Sequence, residues 1–319
     1  MIKQTLPSTS TQWIGALAFF IIYFVWGANF LATRFAIESI PPFFMVGTRF
    51  FVAGVILHIW LRLNGEGQPS FLIALPSIRQ GIWLNVLGTG GVVWSQQHIP
   101  SGLAAIMLSM IPVWMVVLDR AKWKQNFSNF YTGAGLVAGL VGVLLLSDYN
   151  ALGYLSENEQ TFYTALLVLV AGTICWSRGS LFTRKAGSEI SLPMSLSIQM
   201  TAAGALLYVA GLLRGEQTML VIADVTQASV IALLFLIVFS SIIGYLAYLW
   251  LLKTYPPALV GTYAYAHPLI AVYLGWLLAD EQITIQTILS MGMILLAIFL
   301  IKYAHREKPN EIKKVSSPS

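Results

Sequence analysis

The chain has 319 residues, of which 57% are hydrophobic and only 10% are charged. Soluble domains carry about 25% charged residues, so this composition, with a mean hydropathy of +0.75, excludes a soluble globular protein. The formal charge of +5 is interpreted as a topology signal rather than as a nucleic-acid footprint, and the single cysteine, Cys175, excludes an internal disulfide.

Apolar stretches long enough to cross a bilayer recur along the chain. Each is predicted to be a helix, because a backbone exposed to lipid must satisfy its own hydrogen bonds. The ten predicted spans are residues 13–33, 42–61, 79–97, 102–118, 131–147, 161–182, 191–213, 228–252, 257–278 and 284–303. The sequence therefore predicts an all-α polytopic membrane protein with ten transmembrane helices and polar tails at residues 1–12 and 304–319.

Lysine and arginine are unevenly distributed over the connections between these spans. When both termini are placed in the cytoplasm, fourteen of the eighteen basic residues fall on the cytoplasmic side. Cytoplasmic loops of membrane proteins carry an excess of Lys and Arg. The sequence therefore predicts a multi-pass protein with both termini in the cytoplasm.

The two halves of the chain resemble each other. A shift of 150 residues places Trp26 on Trp176, Thr33-Arg34 on Thr183-Arg184, Ala53-Gly54 on Ala203-Gly204 and Gly65-Glu66 on Gly215-Glu216. A shift of 156 places Gly88 on Gly244, Trp94 on Trp250, Pro100 on Pro256 and Pro112 on Pro268. We therefore predict two five-helix repeats, residues 13–147 and 161–303, joined by an outer linker at residues 148–160.

Five spans per repeat mean that the second repeat enters the membrane in the opposite orientation to the first. Inverted repeats are a common device of secondary transporters, in which the two halves exchange conformations around a site near the midplane. Channels also use this symmetry, so the repeat favours a transporter without excluding a channel.

Several short motifs carry a resemblance to a known family. They are Trp26-Gly27, Pro41-Pro42, Arg49-Phe50, Pro100-Ser101-Gly102-Leu103-Ala104-Ala105, Pro257-Ala258, Tyr263-Ala264-Tyr265 before Pro268, and Glu281 after it. In this order and spacing, the chain resembles the EamA-type drug/metabolite transporters, and within them the YedA-like branch of bacterial inner-membrane exporters. The resemblance covers residues 13–303. Two positions depart from the family pattern: His267 stands where asparagine is common, and Gln125 is the first-half counterpart of Glu281.

The resemblance implies a protein of the bacterial inner membrane with a cavity lined mainly by spans 1, 3, 4, 6, 8 and 9. It also implies export of small metabolites, either amino acids or amphipathic and aromatic compounds. No cofactor or metal is expected, and the expected partners are a small-molecule substrate, the lipid bilayer and, in a coupled mechanism, a proton. Nucleic acid is not expected, and the protein is either a monomer or a homodimer.

Polar and aromatic side chains within the spans are the candidates for substrate binding. Polar groups are costly against lipid and so tend to face a bundle interior or a cavity, and aromatic walls suit aromatic or cationic amphipathic substrates. Interfacial anchoring is the alternative for Trp and Tyr near span ends. The candidates are Trp26, Asn29, Arg49, Trp94, Gln97, His98, Trp176, Gln199, Tyr245, Tyr263, Tyr265 and His267.

Three kinds of residue have two interpretations each. Arg49 is predicted either to bind a substrate carboxylate or to form a structural tie to outer-loop carbonyls or Glu38, and we favour the tie. His98 and His267 either serve a proton-coupled step or form neutral hydrogen bonds. Pro112 and Pro268, predicted inside helices, act either as hinges or as static kinks.

Gly135-x-x-x-Gly139 allows close helix contact, either within the monomer or at a dimer interface.

The whole pattern predicts a secondary transporter, not an enzyme, that exports its substrate by alternating access. The alternatives are a polytopic membrane enzyme acting on lipid, which the scattered histidines and the absence of a carboxylate pair within the spans disfavour, and a facilitator or uptake carrier of the same fold.

Overall fold

The computed structural model describes residues 9–99, 104, 107–146, 159–185, 189–279 and 284–305, and every regular element in these ranges is a helix. The principal helices are α1 Thr9–Ile37, α2 Pro42–Leu63, α3 Phe71–Ser95, α4 Ile111–Leu118, α5 Phe130–Leu146, α6 Glu159–Lys185, α7 Leu192–Leu213, α8 Gln227–Thr254, α9 Tyr263–Ala279 and α10 Ile285–Ala304. Two of them are composite, because a nine-residue π-helical segment interrupts α3 at Ile82–Gly90 and α8 at Leu236–Gly244.

Seven helices of the described chain are long and apolar enough to cross a membrane, namely α1, α2, α3, α6, α7, α8 and α10. The other three are shorter: α4 has 8 residues, and α5 and α9 have 17 each. The prediction of an all-helical membrane protein is thus confirmed for the described residues, while the ten-span arrangement stays a prediction.

Two of the predicted spans differ from the structure. Helix α3 begins at Phe71 rather than at residue 79, and Pro76 lies within it on its exposed side. The predicted span 257–278 is broken, since a short turn at Pro257–Val260 precedes α9. Within the predicted span 102–118, Ala104, Met107 and Leu108 are helical, residues 109 and 110 form a turn, and α4 follows from Ile111; residues 102, 103, 105 and 106 lie outside the described residues.

Pro112 lies in the first turn of α4, where the missing N–H removes no helical hydrogen bond. Pro112 therefore follows the turn at residues 109 and 110 that divides the predicted span, whereas Pro268 lies inside α9. Whether either proline acts as a hinge stays a prediction.

Some residues named in the sequence analysis lie outside the described part of the chain. They are Pro100 to Leu103, Ala105, Glu281, residues 1–8 of the N-terminal tail, residues 306–319 of the C-terminal tail, and all of the predicted linker except Glu159 and Gln160.

The long helices α2 and α7 pack closely against each other through glycines. A Cβ atom on Gly54 would lie 2.5 Å from the backbone nitrogen of Thr201 and 2.8 Å from the carbonyl oxygen of Ser197. Gly204 approaches the backbone of Phe51 in the same way. Gly54 and Gly204 are equivalent in the sequence repeat, as are Phe51 and Thr201, so each half contributes the same contact.

The space beside three glycines of α5 is occupied by side chains of the same chain. A Cβ on Gly135 would meet Ile301 at 2.7 Å, and one on Gly139 would meet the ring of Tyr265 at 2.5 Å. Gly142 lies against Ile294 in the same manner. This small-residue stripe is therefore occupied by α9 and α10, which agrees with packing within the monomer and leaves the oligomeric state open.

A buried carboxylate secures the start of α2. Glu216, which is 3% exposed, accepts hydrogen bonds from the backbone nitrogens of Phe43 and Phe44 at 3.1 and 2.8 Å. A negative group at this position offsets the positive end of the helix dipole and satisfies two of its free N–H groups. The first turn of α2 is thereby bound to the connection that follows α7.

We predict that Gly54→Ala destabilises the protein by about 1–3 kcal/mol through overpacking, although alanine is intrinsically a better helix former than glycine. Gly133→Ala in α5 is the matched control, because no atom lies within 4 Å of a Cβ at that position. Thermal unfolding in detergent micelles measures both variants, and equal melting temperatures for the two would contradict the proposed close contact between α2 and α7.

Candidate functional site

A cavity lies between helices from both halves of the chain and encloses about 730 Å³, including the part open to solvent. Helices α1, α3, α4, α6, α8 and α9 line it, as the family resemblance implies, and α2 adds Arg49. The lining residues are Trp26, Asn29, Thr33, Arg49, Gly88, Thr89, Val92, Val93, Gln96, Leu108, Ile111, Thr173, Trp176, Tyr245, Tyr263 and His267.

An aromatic cluster centred on Trp26 forms one wall of this cavity. The ring of Trp26 lies 5.7 Å from Trp176, 5.2 Å from Tyr245, 4.9 Å from Tyr248 and 5.1 Å from Tyr263, measured between centroids. Most of these pairs meet edge to face, the geometry that aromatic quadrupoles favour. Trp26, Trp176, Tyr245 and Tyr263 thus give the cavity an aromatic wall, and Tyr248 packs behind it.

The polar ends of these rings have partners within the protein. The Trp26 indole donates to the carbonyl oxygen of Ser240 at 3.2 Å, and the Trp176 indole donates to Tyr248 at 3.1 Å. Tyr248 Oη also lies 2.5 Å from Ser180 Oγ. These bonds fix the ring orientations before any ligand arrives, so the aromatic wall is preorganised.

Arg49 enters the cavity from α2 and is 4% exposed. Its Nε donates to the Ser241 hydroxyl at 2.8 Å and its Nη2 donates to the Ser240 hydroxyl at 2.6 Å. Both serines lie in the π-helical segment of α8. Within the described part of the chain these hydroxyls are its hydrogen-bond partners, so the predicted tie to Glu38 or to outer-loop carbonyls is not formed.

Seven of the twelve predicted binding residues lie on the cavity wall, namely Trp26, Asn29, Arg49, Trp176, Tyr245, Tyr263 and His267. His267 lies beside Tyr263, with ring centroids 5.0 Å apart. Contact of any of these residues with a substrate stays a prediction. Their convergence from five different helices nonetheless makes the cavity the candidate binding site.

Three of the other predicted residues lie near the end of α3. Gln97 and His98 follow the last residue of that helix in an exposed turn. Trp94 packs against the ring of His98 at 5.0 Å and lies under the guanidinium of Arg214 at 5.5 Å. None of these three is among the lining residues of the cavity.

The remaining two predicted residues are buried between helices. The Gln199 side chain donates to the Ser195 hydroxyl at 3.1 Å. Its backbone lies against Gly81, where a Cβ atom would be 2.5 Å from the backbone carbonyl oxygen of Gln199. Tyr265 packs on Gly139 and donates to the Leu136 carbonyl at 3.3 Å. Their polarity at span depth thus serves helix packing in this conformation.

Sequence reasoning missed several polar groups of the site. Thr33, Thr89 and Thr173 line the cavity, while Ser240 and Ser241 hold Arg49. The signal for the serines was available, since a Ser-Ser pair interrupts the apolar run of α8. Its link to Arg49 was not, because it joins residues almost two hundred positions apart.

The cavity is closed along the N-terminal half of α1. Tyr23 lies 2.6 Å from the Thr262 hydroxyl, measured between oxygens, and the ring of Phe19 packs on Tyr255 at 5.4 Å. In the C-terminal half of the same helix, Asn29 and Thr33 line the cavity. The site is thus sealed toward one end of α1 and extends toward the other.

Comparison with known proteins decides the family. The profile of the EamA-like transporter family matches residues 13–148 and 163–303. The chain is also 33% identical over 314 residues to a protein of Escherichia coli K12 named "Uncharacterized inner membrane transporter YedA", covering 96% of this chain and 95% of that protein. The chain belongs to the EamA-like transporter family. This EamA-like protein is therefore a membrane transporter with several spans in the inner membrane.

Other EamA-like relatives differ in the substrates that their names state. The chain is 23% identical over 301 residues, 90% of its length and 93% of the relative, to the "Probable amino-acid metabolite efflux pump" of Escherichia coli K12. It is 25% identical over 304 residues, 89% of each chain, to the "S-adenosylmethionine/S-adenosylhomocysteine transporter" of Chlamydia trachomatis serovar L2. A crystal structure with 17% identity superposes with a TM-score of 0.70 over 92% of this chain and 99% of that one, which shows the shared fold.

We predict that Tyr23→Phe lowers the stability of this EamA-like transporter by about 1 kcal/mol. Thr262 donates its proton to the Leu259 carbonyl at 2.6 Å, so Tyr23 acts as the donor to Thr262 and only that bond is lost. Tyr131→Phe is the control, since Tyr131 is 42% exposed and its ring contact with Tyr303 is kept. Thermal unfolding that shifts equally for both variants would contradict the proposed seal.

Proposed function

We propose that the chain is a secondary transporter that exports small metabolites, either amino acids or amphipathic and aromatic compounds, by alternating access. The moving units would be the two inverted five-helix repeats at residues 13–147 and 161–303, joined by the linker at residues 148–160. The observation that carries this proposal is the direct contact between equivalent residues of the two repeats at the cavity.

Two pairs of repeat-equivalent residues touch there. Trp26 and Trp176 are 150 positions apart and their ring centroids lie 5.7 Å apart. Thr89 and Tyr245 are 156 positions apart and their hydroxyl oxygens lie 3.3 Å apart. A residue can contact its own counterpart only close to the axis that relates the two halves. These contacts support a pseudo-twofold axis through the cavity, where inverted-repeat transporters bind their substrates.

A second set of contacts obeys the same relation. A Cβ on Gly88 would lie 3.1 Å from the ring of Trp176, and one on Gly244 would lie 2.6 Å from the ring of Trp26. Gly88 and Gly244 are equivalent under the shift of 156, and the two tryptophans are equivalent under the shift of 150. Each π-helical segment therefore receives the tryptophan of the opposite repeat, which supports two homologous units.

The proposed orientation of the protein in the membrane determines to which side the cavity opens in this conformation. If both termini are cytoplasmic, as the distribution of basic residues favours, the seal along the N-terminal half of α1 lies on the cytoplasmic side. The cavity would then face outward, as in a state that releases an exported substrate. An uptake carrier or a facilitator would pass through the same state, and the export direction is supported by the relative named as an efflux pump.

His267 is the candidate for proton coupling, because it lies on the cavity wall beside Pro268 and Tyr263. His98, the other candidate, lies in the exposed turn after α3. The alternative of a lipid-modifying enzyme is disfavoured by the relatives, which are named as transporters.

The test is transport by the purified protein in proteoliposomes, with a panel of amino acids and aromatic compounds. We expect flux of at least one panel member. We expect Trp26→Ala and Trp176→Ala to lower it at least about fivefold, because each aromatic contact with a substrate contributes about 1 kcal/mol or more. Trp13→Ala is the matched control, since Trp13 is 76% exposed on α1. Equal flux in all three variants would contradict a substrate site at the aromatic cluster.

The same vesicles test proton coupling. Flux that follows an imposed pH gradient and loses this dependence in His267→Ala would support a proton antiporter. Flux that is indifferent to the gradient would make the protein a facilitator and return His267 to a structural role.

A further inference from the structure

The electrostatic character of the cavity is set by Arg49. None of the described residues that line the cavity is Asp or Glu, whereas Arg49 carries a permanent positive charge there. The described acidic residues all lie at helix ends or in connections, and they are Glu38, Glu66, Asp119, Glu159, Glu189, Glu216 and Asp224. Within the described chain, the guanidinium is thus held by neutral groups alone.

A buried charge without an opposite charge is unfavourable, because hydroxyl dipoles replace only part of its hydration. Arg49 also has unused hydrogen-bonding capacity. Its Nε and Nη2 donate to Ser241 and Ser240, but no described residue accepts from its Nη1. A guanidinium has five N–H donors in a fork that matches a carboxylate. Arg49 is therefore arranged to receive an anionic group from the cavity.

The packing of the helices does not require this charge. The repeat equivalent of Arg49 is Gln199, which occupies the corresponding place on α7 and is fully buried with a neutral side chain. The same helix pairing is thus built with an amide in one half and a guanidinium in the other. Of the two equivalent residues, only the charged one, Arg49, is among the lining residues of the cavity, which indicates a role in binding.

A second unmet polar group lies on the same wall. Asn29 Oδ1 is buried and has no hydrogen-bond donor among the described residues. Asn29 is one helical turn beyond Trp26 on the cavity side of α1. Trp26 in turn donates to the Ser240 carbonyl, while Arg49 donates to the Ser240 hydroxyl. A cation, an unpaired acceptor and an aromatic cluster therefore line the same cavity.

We propose that the cavity selects aromatic monocarboxylates that carry a hydroxyl group, in preference to zwitterionic amino acids or organic cations. The carboxylate binds the free edge of Arg49, the ring packs among the aromatic cluster, and the hydroxyl donates to Asn29. This inference names the substrate class of the transporter proposed above and rests on that function. A monoanion neutralises Arg49, whereas a zwitterion brings an ammonium group that has no carboxylate partner on the described wall.

The test compares ligands that share one phenyl ring and chain and differ in charge. Isothermal titration calorimetry of the purified protein in detergent measures binding of 3-phenyllactate, phenylalanine and phenethylamine, with empty micelles as the blank. A fourth ligand, 3-phenylpropionate, keeps the carboxylate and lacks the hydroxyl. We expect 3-phenyllactate to bind about tenfold or more tightly than phenylalanine, with 3-phenylpropionate between them and no binding of phenethylamine.

Three arginine variants locate the effect. Arg49→Gln, which copies the residue of the other repeat, is expected to weaken 3-phenyllactate binding about 10- to 100-fold and to abolish the preference over phenylalanine. Arg49→Lys keeps the charge and is expected to retain the preference. Arg178→Gln is the matched control, because Arg178 is exposed and lies over Trp83 rather than on the cavity wall. Thermal unfolding confirms that each variant is folded.

The wild-type series decides the proposal even if Arg49→Gln does not fold. Phenylalanine or phenethylamine binding as tightly as 3-phenyllactate overturns it, and so does no binding of any of the four ligands. Asn29→Ala is expected to make 3-phenyllactate and 3-phenylpropionate bind equally. Anion binding without flux in proteoliposomes would contradict the transport proposal alone, and flux of amino acids without anion preference would contradict this inference alone.

Discussion

Ser240 connects the parts of this protein on which the cavity depends. Its carbonyl accepts from the indole of Trp26, and its hydroxyl accepts from Nη2 of Arg49. Both donors belong to the first half of the chain, whereas Ser240 lies in the π-helical segment of α8 in the second half. In a membrane, each of these polar groups would be costly if left alone. Their mutual satisfaction fixes where the halves meet, and the cavity forms at that place.

The π-helical segments explain how this meeting is possible. A π-helical stretch widens the turn and frequently marks a functional site in a helix. In α3 and α8 the two segments end at Gly90 and Gly244. Gly244 and the equivalent Gly88 leave room for the tryptophan of the opposite repeat. The aromatic cluster can therefore lie close to the backbones of α3 and α8. Hydrogen bonds to Ser240 and Tyr248, both in α8, fix the orientations of the two tryptophan rings.

Much of this arrangement was accessible from the sequence because it follows from local rules. Apolar length located α2, α7 and α10 to within a few residues, and the repeat placed Trp26 and Trp176 in equivalent positions. The prediction failed for the start of α3, which lies at Phe71 rather than at residue 79, and for the predicted span 257–278, which is interrupted before α9. The site was recovered where a residue combined polarity with span depth, as for Asn29 and His267. It was not recovered for Gln199 and Tyr265, because burial between helices and exposure to a cavity produce the same sequence signal. The partners of Arg49 were also hidden, since they lie in a distant part of the chain.

The proposed transport requires that one cavity opens alternately to the two sides of the membrane, and reciprocal accessibility tests this most directly. In a Cys175→Ser background, single cysteines at Thr33 and Thr262 would report the cavity end and the sealed end of α1, respectively. We expect maleimide to label the Thr33 position faster than the Thr262 position, because Thr33 lines the cavity whereas Thr262 is fully buried. A transported substrate should then change the two labelling rates in opposite directions. Labelling rates that change in the same direction at both positions, or that do not respond to substrate, would contradict alternating access.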